Sequence, residues 1–281
     1  MKDIAKKIRA LTLECIASIG QGHIGGSFSI VDVLTVLYFK EMNIDPKNPK
    51  MEGRDRLVVS KGHAGPAVYA TLALKGYFDK KELLNLNRLG TKLPSHCDMN
   101  KTPGVDMTAG SLGQGLSCAC GIALGSKLAK DGAYTYCIIG DGESQEGQIW
   151  EASMFAAQYK LDNLIVFLDN NKLQLDGYTD DVMSLIDPKA KWESFGFYTQ
   201  EIDGHDLDKI DEAIQNAKKN KDKPSMIVLD TIKGKGVSFI EDAKTGNHSM
   251  PITKDDLEKA LKELGWLIWN SEKYYVKNFR N

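Results

Sequence analysis

Apolar residues at Ile4, Ile8, Leu11, Cys15 and Ile19 recur every three or four positions, which predicts a helix over about 4–19 stopped by Gly20. A Gly-rich loop, QGHIGGSFS, follows at 21–29. A strongly apolar stretch at 30–42 reads as a helix with Ser29 as its N-cap, because a serine hydroxyl can accept a free first-turn N–H. Residues 56–60 read as a short buried strand. Helices at about 65–76 and 79–89 come next, then a loop rich in Pro, Gly and Thr up to Gly113. A small-residue helix at 114–130 suits close packing. From here the pattern becomes regular. A strand at 133–139 runs into GDGES, a helix covers about 147–160, and a strand at 164–168 runs into DNN. A helix near 188–195, a strand near 198–202, a helix at 206–219, a strand at 226–229, a loop at 233–250 and a last helix complete the series. Strands alternating with helices predict an α/β fold, a parallel β-sheet flanked by helices on both faces. In such sheets ligand loops follow the carboxyl ends of the strands, where GDGES and DNN both fall.

Composition narrows the class. The 281 residues suffice for one large domain or two small ones. The chain reads as a single domain over 1–281 with a tail from about 266. That tail holds two Trp, two Tyr and a Phe, too many aromatics to stand in water, so it is expected to pack on something. Lys plus Arg is 36 and Asp plus Glu is 38, which leaves no basic footprint for nucleic acid. The N-terminal segment is amphipathic rather than a signal peptide, and no apolar run approaches the roughly 18 residues of a membrane span. A soluble, cytoplasmic protein is expected. The five cysteines are odd in number and match no zinc or disulfide spacing; Cys118-Ala119-Cys120 falls one residue short of C-x-x-C. Buried thiols in a reducing compartment are the expectation. The charge run at 218–223 reads as a solvated helix end.

The chemistry centres on Gly140-Asp141-Gly142, then 27 residues, then Asn170-Asn171. Glycines let backbone approach a ligand closely. Asp141 offers a hard carboxylate oxygen and Asn171 an amide oxygen. Magnesium takes six oxygens and usually completes its set with phosphate and water. The helix beginning near Gly147 is placed for its N-terminus to favour the phosphates. The plain alternative is a pair of strand-end turns, where Gly, Asp and Asn are common.

This stretch resembles the thiamine-diphosphate motif GDG-x(25–30)-NN, and nearly the whole chain resembles the first third to half of transketolase. The resembling segments are GHIGGSFS, RDRLVVSKGHA, TPGVDMTAGSLGQGLSCACGIAL, GDGESQEGQIWEA, LDNNKLQLDG, IDGHD, and KGKGV with GNHSMP, in that order. The resemblance implies a thiamine-diphosphate-binding fold and the cofactors thiamine diphosphate and Mg²⁺. It implies Asp141 and Asn171 as metal ligands, joined by the backbone carbonyl of Leu173. Gly142 would meet the diphosphate, Asn171 would also stand at the cofactor, and Gly110-Ser111-Leu112 matches the family's Gly-Pro-Leu segment beside it. His63 matches a cofactor-contacting histidine. His23, His96 and His248 match histidines around the donor sugar and the diphosphate, with His248 serving both. Glu146 and Glu151 match carboxylates that couple two active sites of a dimer.

Read without the family, His23, His63, His205 and His248 each adjoin or nearly adjoin Gly, and His96 follows Pro94-Ser95. Histidines in loops, off any apolar helical stripe, favour a site over a core role. His205 is the weakest case and reads as structural. Lys235 in KGKG is a candidate anion contact, with a surface lysine as the alternative. Two segments depart from the family pattern: Ile24-Gly25-Gly26-Ser27 stands where Pro and Gly-Ala-Pro are usual, and His96-Cys97-Asp98 replaces His-Pro-Glu. Both touch the donor-sugar contacts.

Full-length transketolases are more than twice this length, and their second domain binds the aminopyrimidine end of the cofactor. The resemblance therefore implies the N-terminal subunit of a split transketolase. Its partner would be a C-terminal pyrimidine-binding subunit, with a homodimer of this chain inside a heterotetramer. The implied reaction moves a two-carbon ketol unit between sugar phosphates of the pentose phosphate pathway. Alternatives are a transketolase for a sulfonated or branched sugar, the alpha subunit of a 2-oxo acid dehydrogenase, a 1-deoxyxylulose-5-phosphate synthase, and a non-catalytic binding protein that kept the fold.

Overall fold

A computed structural model describes residues 1–266. The strands are β1 (Gln21–Gly22), β2 (Arg56–Val59), β3 (Thr135–Gly140), β4 (Leu164–Asn170), β5 (Tyr198–Asp203), β6 (Ser225–Asp230) and β7 (Met250–Pro251). The helices used below are α1 (Lys2–Ala17), α2 (Ile24–Phe28), α3 (Val31–Val36), α4 (Gly65–Lys75), α5 (Gln114–Ala129), α6 (Gly147–Gln158), α7 (Thr179–Met183), α8 (Pro188–Ser194), α9 (Leu207–Lys219), α10 (Ser238–Asp242) and α11 (Lys254–Glu263).

Five strands form one parallel sheet in the order β2-β3-β4-β6-β5. Successive side chains on a strand point to opposite faces, so each central strand feeds two cores. Tyr136, Ile138, Ile165, Phe167, Ile227 and Leu229 pack with α1, α3, α4 and α9 on one face. Cys137, Ile139, Val166, Leu168, Met226 and Val228 pack with α5, α6 and α8 on the other. Burial on both faces is why these strands read as unbroken apolar runs. Each such side chain, fully buried, contributes roughly 1.5–3 kcal/mol.

Several local expectations change. The stretch 21–29 is not all loop: β1 is followed by the short helix α2. The helix expected at 30–42 is two pieces, α3 and a π-helical turn at Leu37–Glu41. Ser29 does not cap it; Ile30 holds that position and the Ser29 hydroxyl donates to Asp169 at 2.7 Å. The helix expected at 79–89 shrinks to a 3₁₀ segment, Lys80–Asn85, after which Leu86 leaves the helical region and still packs into the core with Leu83. The 233–250 loop contains α10. Strand β4 runs on to Asn170, so Asp169 belongs to the strand and not to the loop.

A second, two-stranded sheet matters for the site. β1 pairs antiparallel with β7, Gln21 opposite Pro251 and Gly22 opposite Met250. It joins segments more than 220 residues apart and sets His23 next to His248. Of the aromatic tail, Trp266 packs against the main core and its N–H donates to the Leu261 carbonyl; positions 267–281 lie outside the described residues. Among the described residues no helix is long and apolar enough to cross a membrane. The five cysteines are free thiols, and all but Cys118 are buried.

Candidate functional site

The carboxyl ends of β2, β3, β4 and β6 are neighbours in the sheet, and their following loops build one site. Asp141 is the first residue after β3 and is buried. One of its carboxylate oxygens accepts the Gly142 N–H at 2.8 Å and the other accepts the Lys172 N–H at 2.5 Å. Gly142 is needed for this approach, since a Cβ there would lie 2.8 Å from the Gln174 Cβ. Across from it, the Asn171 amide nitrogen donates to Asp169 at 2.8 Å, and its oxygen accepts the Leu173 N–H at 3.2 Å. The Leu173 carbonyl accepts Lys233 Nζ at 3.4 Å. Asp141, Asn171 and Leu173 thus sit on two loops that are hydrogen-bonded to each other. The amides nearest Asp141 are those of Gly142 and Lys172, while α6 starts only after a 3₁₀ turn at Gly142–Gln145.

Beneath this lies a fully buried ion pair that the sequence did not announce. Asp169 receives Lys61 Nζ at 2.5 Å, Ser29 Oγ at 2.7 Å, Thr231 Oγ1 at 2.5 Å and Asn171 Nδ2 at 2.8 Å. Burial works to raise its pKa, but the Lys61 charge and these donors hold it below the ordinary carboxylate value. The donor from Asn171 decides which way that amide faces: its nitrogen is tied inward, so its oxygen is turned to the loop. The only prior signal was that Lys61 and Asp169 sit beside His63 and Asn171 in sequence.

The four loop histidines converge. Ring centroids stand 5.6 Å apart for His23 and His63, 5.7 Å for His23 and His96, 5.3 Å for His23 and His248, and 5.1 Å for His63 and His248. Burial lowers the pKa of each, helped at His63 by Lys61 and at His248 by Lys233, where the value falls to about 4. All four are therefore neutral at pH 7, able to donate from one nitrogen and accept at the other. Among the described residues no three His, Cys, Asp or Glu side chains are grouped to hold a metal ion. Lys233 links it to the Asp141 loops, with Nζ 3.5 Å from His248 Nδ1. Lys233, not Lys235, is the lysine of KGKG that enters the site; the Lys235 carbonyl instead accepts from Arg9.

Glu143 was also missed. Its buried carboxylate accepts from the Ser60 hydroxyl, from Gly113 N at 2.9 Å and from Gly140 N at 3.0 Å. It thereby ties the loop carrying Gly110, Ser111 and Leu112 to the GDG turn. Those three residues are exposed. Glu146 and Glu151 are exposed on the α6 surface, apart from the histidines. His205 is not in the cluster. Its Nδ1 meets Asp32 at 2.8 Å and its Nε2 accepts the Ile232 N–H at 2.8 Å, so both ring nitrogens are spent on holding other parts of the chain.

Two charged groups of the site are shifted by their surroundings. Burial and the nearby Asp169 charge push Asp141 up to about 7, and burial with the Lys61 charge pulls Lys233 down to about 8. A cation at Asp141 and an anion at Lys233 would satisfy both. A pH dependence follows. Below about pH 7 a proton occupies Asp141 and must be displaced by the cation; above about pH 8 Lys233 loses the charge that attracts the anion. Affinity for a magnesium–diphosphate pair is expected to peak between these values. Calorimetric titration from pH 5.5 to 9.5 checks it, and a flat profile would contradict it.

The chain matches the family described as transketolase, thiamine diphosphate binding domain, over residues 1–278. It is 56% identical over 260 residues to the 6-deoxy-6-sulfo-D-fructose transketolase subunit SqwG of Clostridium sp. (strain MSTE9), covering 92% of this chain and 94% of that one. It is 38% identical over 269 residues to an apulose-4-phosphate transketolase subunit of Phocaeicola vulgatus, covering 96% and 95%. The solved transketolase of Pichia stipitis in complex with sedoheptulose-7-phosphate superposes with a TM-score of 0.88 at 34% identity. That match covers 94% of this chain but 40% of the other. The chain thus spans well under half the length of that transketolase and most of the length of the relatives named as subunits. With GDG and Asn171 facing each other and four histidines beside them, the chain belongs to the transketolase family as its thiamine-diphosphate-binding domain.

Proposed function

We propose that this chain is the diphosphate- and metal-holding subunit of a two-chain transketolase, active only with a C-terminal pyrimidine-binding partner. The single observation that carries it is the meeting of three strand-end loops: Asp141 accepts the Lys172 N–H at 2.5 Å, the Asn171 oxygen accepts the Leu173 N–H at 3.2 Å, and Lys233 Nζ lies 3.4 Å from the Leu173 carbonyl. That is the donor set a magnesium–diphosphate group fits. Asp141, the Asn171 amide oxygen and the Leu173 carbonyl would hold Mg²⁺, and Gly142 and Lys233 the diphosphate, with His63 and His248 alongside. The bound cofactor supplies the thiazolium carbon on which a two-carbon ketol unit is carried.

The chain's own residues bind and orient. Neutral imidazoles of His23, His63, His96 and His248 can donate to carbonyl and hydroxyl oxygens of a donor sugar and take up a hydroxyl proton. Gly110, Ser111 and Leu112, exposed on the loop that Glu143 ties to the GDG turn, would stand beside the cofactor. Relatives named as subunits support a second polypeptide there. We assign the assembly as a heterotetramer with two copies of this chain, in the cytoplasm. Purified alone with thiamine diphosphate, Mg²⁺ and a ketose phosphate, the chain is expected to show no ketol transfer, and turnover is expected on adding the partner. Robust turnover by the chain alone would sink the proposal.

A second reading concerns the sugar. The 56% identity is to a subunit named for 6-deoxy-6-sulfo-D-fructose, against 34–38% for the other relatives above. Gly26 stands in the altered segment, and a Cβ there would lie 3.2 Å from His63 Nε2. An alanine there would require the His63 ring to give way by a few tenths of an ångström. With the partner present, comparing kcat/KM for a sulfonated ketose and its phosphate counterpart decides between the two readings.

A further inference from the structure

His205 lies outside the histidine cluster, yet both of its ring nitrogens are engaged. We propose that His205 is a positioning residue that places the Lys233 ammonium, by pinning the neighbouring amide of Ile232 within a buried Arg9–Asp32–His205 network. The inference rests on the reading of Lys233 as the diphosphate contact.

The loop after β6 has little reason of its own to hold one shape. Gly234 and Gly236 both have positive φ, +89° and +108°, a region that favours glycine, and glycine constrains its backbone least. Its position is set by bonds from outside. Ile232 N donates to His205 Nε2 at 2.8 Å, and Asn247 Nδ2 donates to the Lys233 carbonyl at 3.1 Å. Gly234 N donates to the Gly25 carbonyl at 3.1 Å, and Arg9 Nε donates to the Lys235 carbonyl at 2.8 Å. Lys233 is held between these pins, one residue beyond the first.

Two of the pins, those at Ile232 and Lys235, belong to one network. Because His205 Nε2 accepts from Ile232, the ring proton sits on Nδ1, which donates to Asp32 Oδ2 at 2.8 Å. Asp32 also takes a two-pronged pair from Arg9, at 2.6 and 3.1 Å, and both side chains are buried. The backbone N–H of His205 donates to Asp203 at 2.9 Å, which anchors it to the end of β5. So α1, α3 and the β5 end are joined to the loop that carries Lys233. The link has a direction: His205 touches no residue of the cluster and reaches the site only through Ile232.

The two amide replacements of histidine separate the bonds. An asparagine reaches the Nδ1 position and can keep the donor to Asp32, but falls short of Ile232. A glutamine reaches the Nε2 position, where its oxygen can accept the Ile232 N–H. Affinity of the full chain for inorganic pyrophosphate with Mg²⁺ is measured by calorimetry, beside the urea unfolding midpoint. His205→Asn is expected to weaken pyrophosphate binding about tenfold or more, as for other partners that orient a ligand-holding group. His205→Gln is expected to stay within about threefold of the natural chain at a similar unfolding midpoint. Unchanged binding by His205→Asn overturns the proposal. So does equal weakening in both variants that follows their loss of stability, which would make His205 a fold residue only. Lys233→Met separates the two levels of argument. If it weakens binding and His205→Asn does not, the positioning role falls while the site reading stands. If Lys233→Met, or the natural chain itself, shows no pyrophosphate effect, the site reading falls and the proposal with it.

Discussion

Asp141→Ala is expected to lower Mg²⁺-dependent binding of thiamine diphosphate by more than about a hundredfold and to remove ketol transfer in the assembled enzyme. Losing a partner that only orients a ligand costs about 10–100-fold in metal affinity, and losing the ligand itself costs more. Asp141 is the one carboxylate in the proposed oxygen set; Asn171 and Leu173 offer neutral oxygens. No neighbour can replace it. Asp169 is 0% exposed and already saturated by Lys61, Ser29, Thr231 and Asn171. Asp141→Asn separates charge from shape: it keeps an oxygen and loses the charge, and binding is expected to fall nearly as far. The variants should stay folded. In the absence of a cation the ionised carboxylate is disfavoured, as its rise to about 7 through burial and the Asp169 charge records. Calorimetry with and without Mg²⁺, beside urea denaturation, gives both answers. Metal-dependent binding at the natural strength in Asp141→Ala would remove the basis for the site.

The second large effect is on stability. Lys61→Met is expected to cost about 3–5 kcal/mol, the range for removing one partner of a buried pair and leaving the other charge uncompensated. The side chains of Lys61 and Asp169 are 2% and 0% exposed, so water cannot take the place of the lost ammonium. Lys61→Met combined with Asp169→Asn should recover much of that loss, because no buried charge remains. Urea unfolding of the two single variants and the double variant measures the coupling. If the losses simply add, the pair contributes no interaction of its own. Even the stable double variant is expected to bind Mg²⁺ and cofactor more weakly, since the ammonium is gone and the amide at 169 keeps only one of the two oxygens that now receive Asn171 and Thr231.

Much of this was legible in the sequence for definite reasons. Parallel strands buried on both faces leave unbroken apolar runs, so β3, β4 and β6 could be placed to within a few residues. Ligand loops follow strand ends, so Asp141 and Asn171 could be placed on neighbouring strand-end loops, where they lie. Loop histidines beside glycines stand out from core residues, and His23, His63, His96 and His248 do converge. Lys61, Asp169, Glu143 and Lys233 were not legible. A buried Lys–Asp pair carries no periodic signature, and Asp169 reads as an ordinary end of a DNN turn until β4 is seen to include it. Lys233 and Lys235 are indistinguishable in KGKG; the folded loop turns Lys233 to Leu173 and His248 and leaves the Lys235 carbonyl accepting from Arg9.

The sequence by itself determined the layering, the order of strand and helix, and the short motifs that carry the candidate site residues, because these depend on local period and on residue chemistry. Only the tertiary structure decided which distant groups meet. The pairing of Gln21–Gly22 with Met250–Pro251 brings His23 to His248 across more than 220 residues. The alignment of four strand ends sets Lys61 under Asn171 and Lys233 over Leu173. Those meetings depend on the register of a packed sheet, in which each contact is settled by all the others.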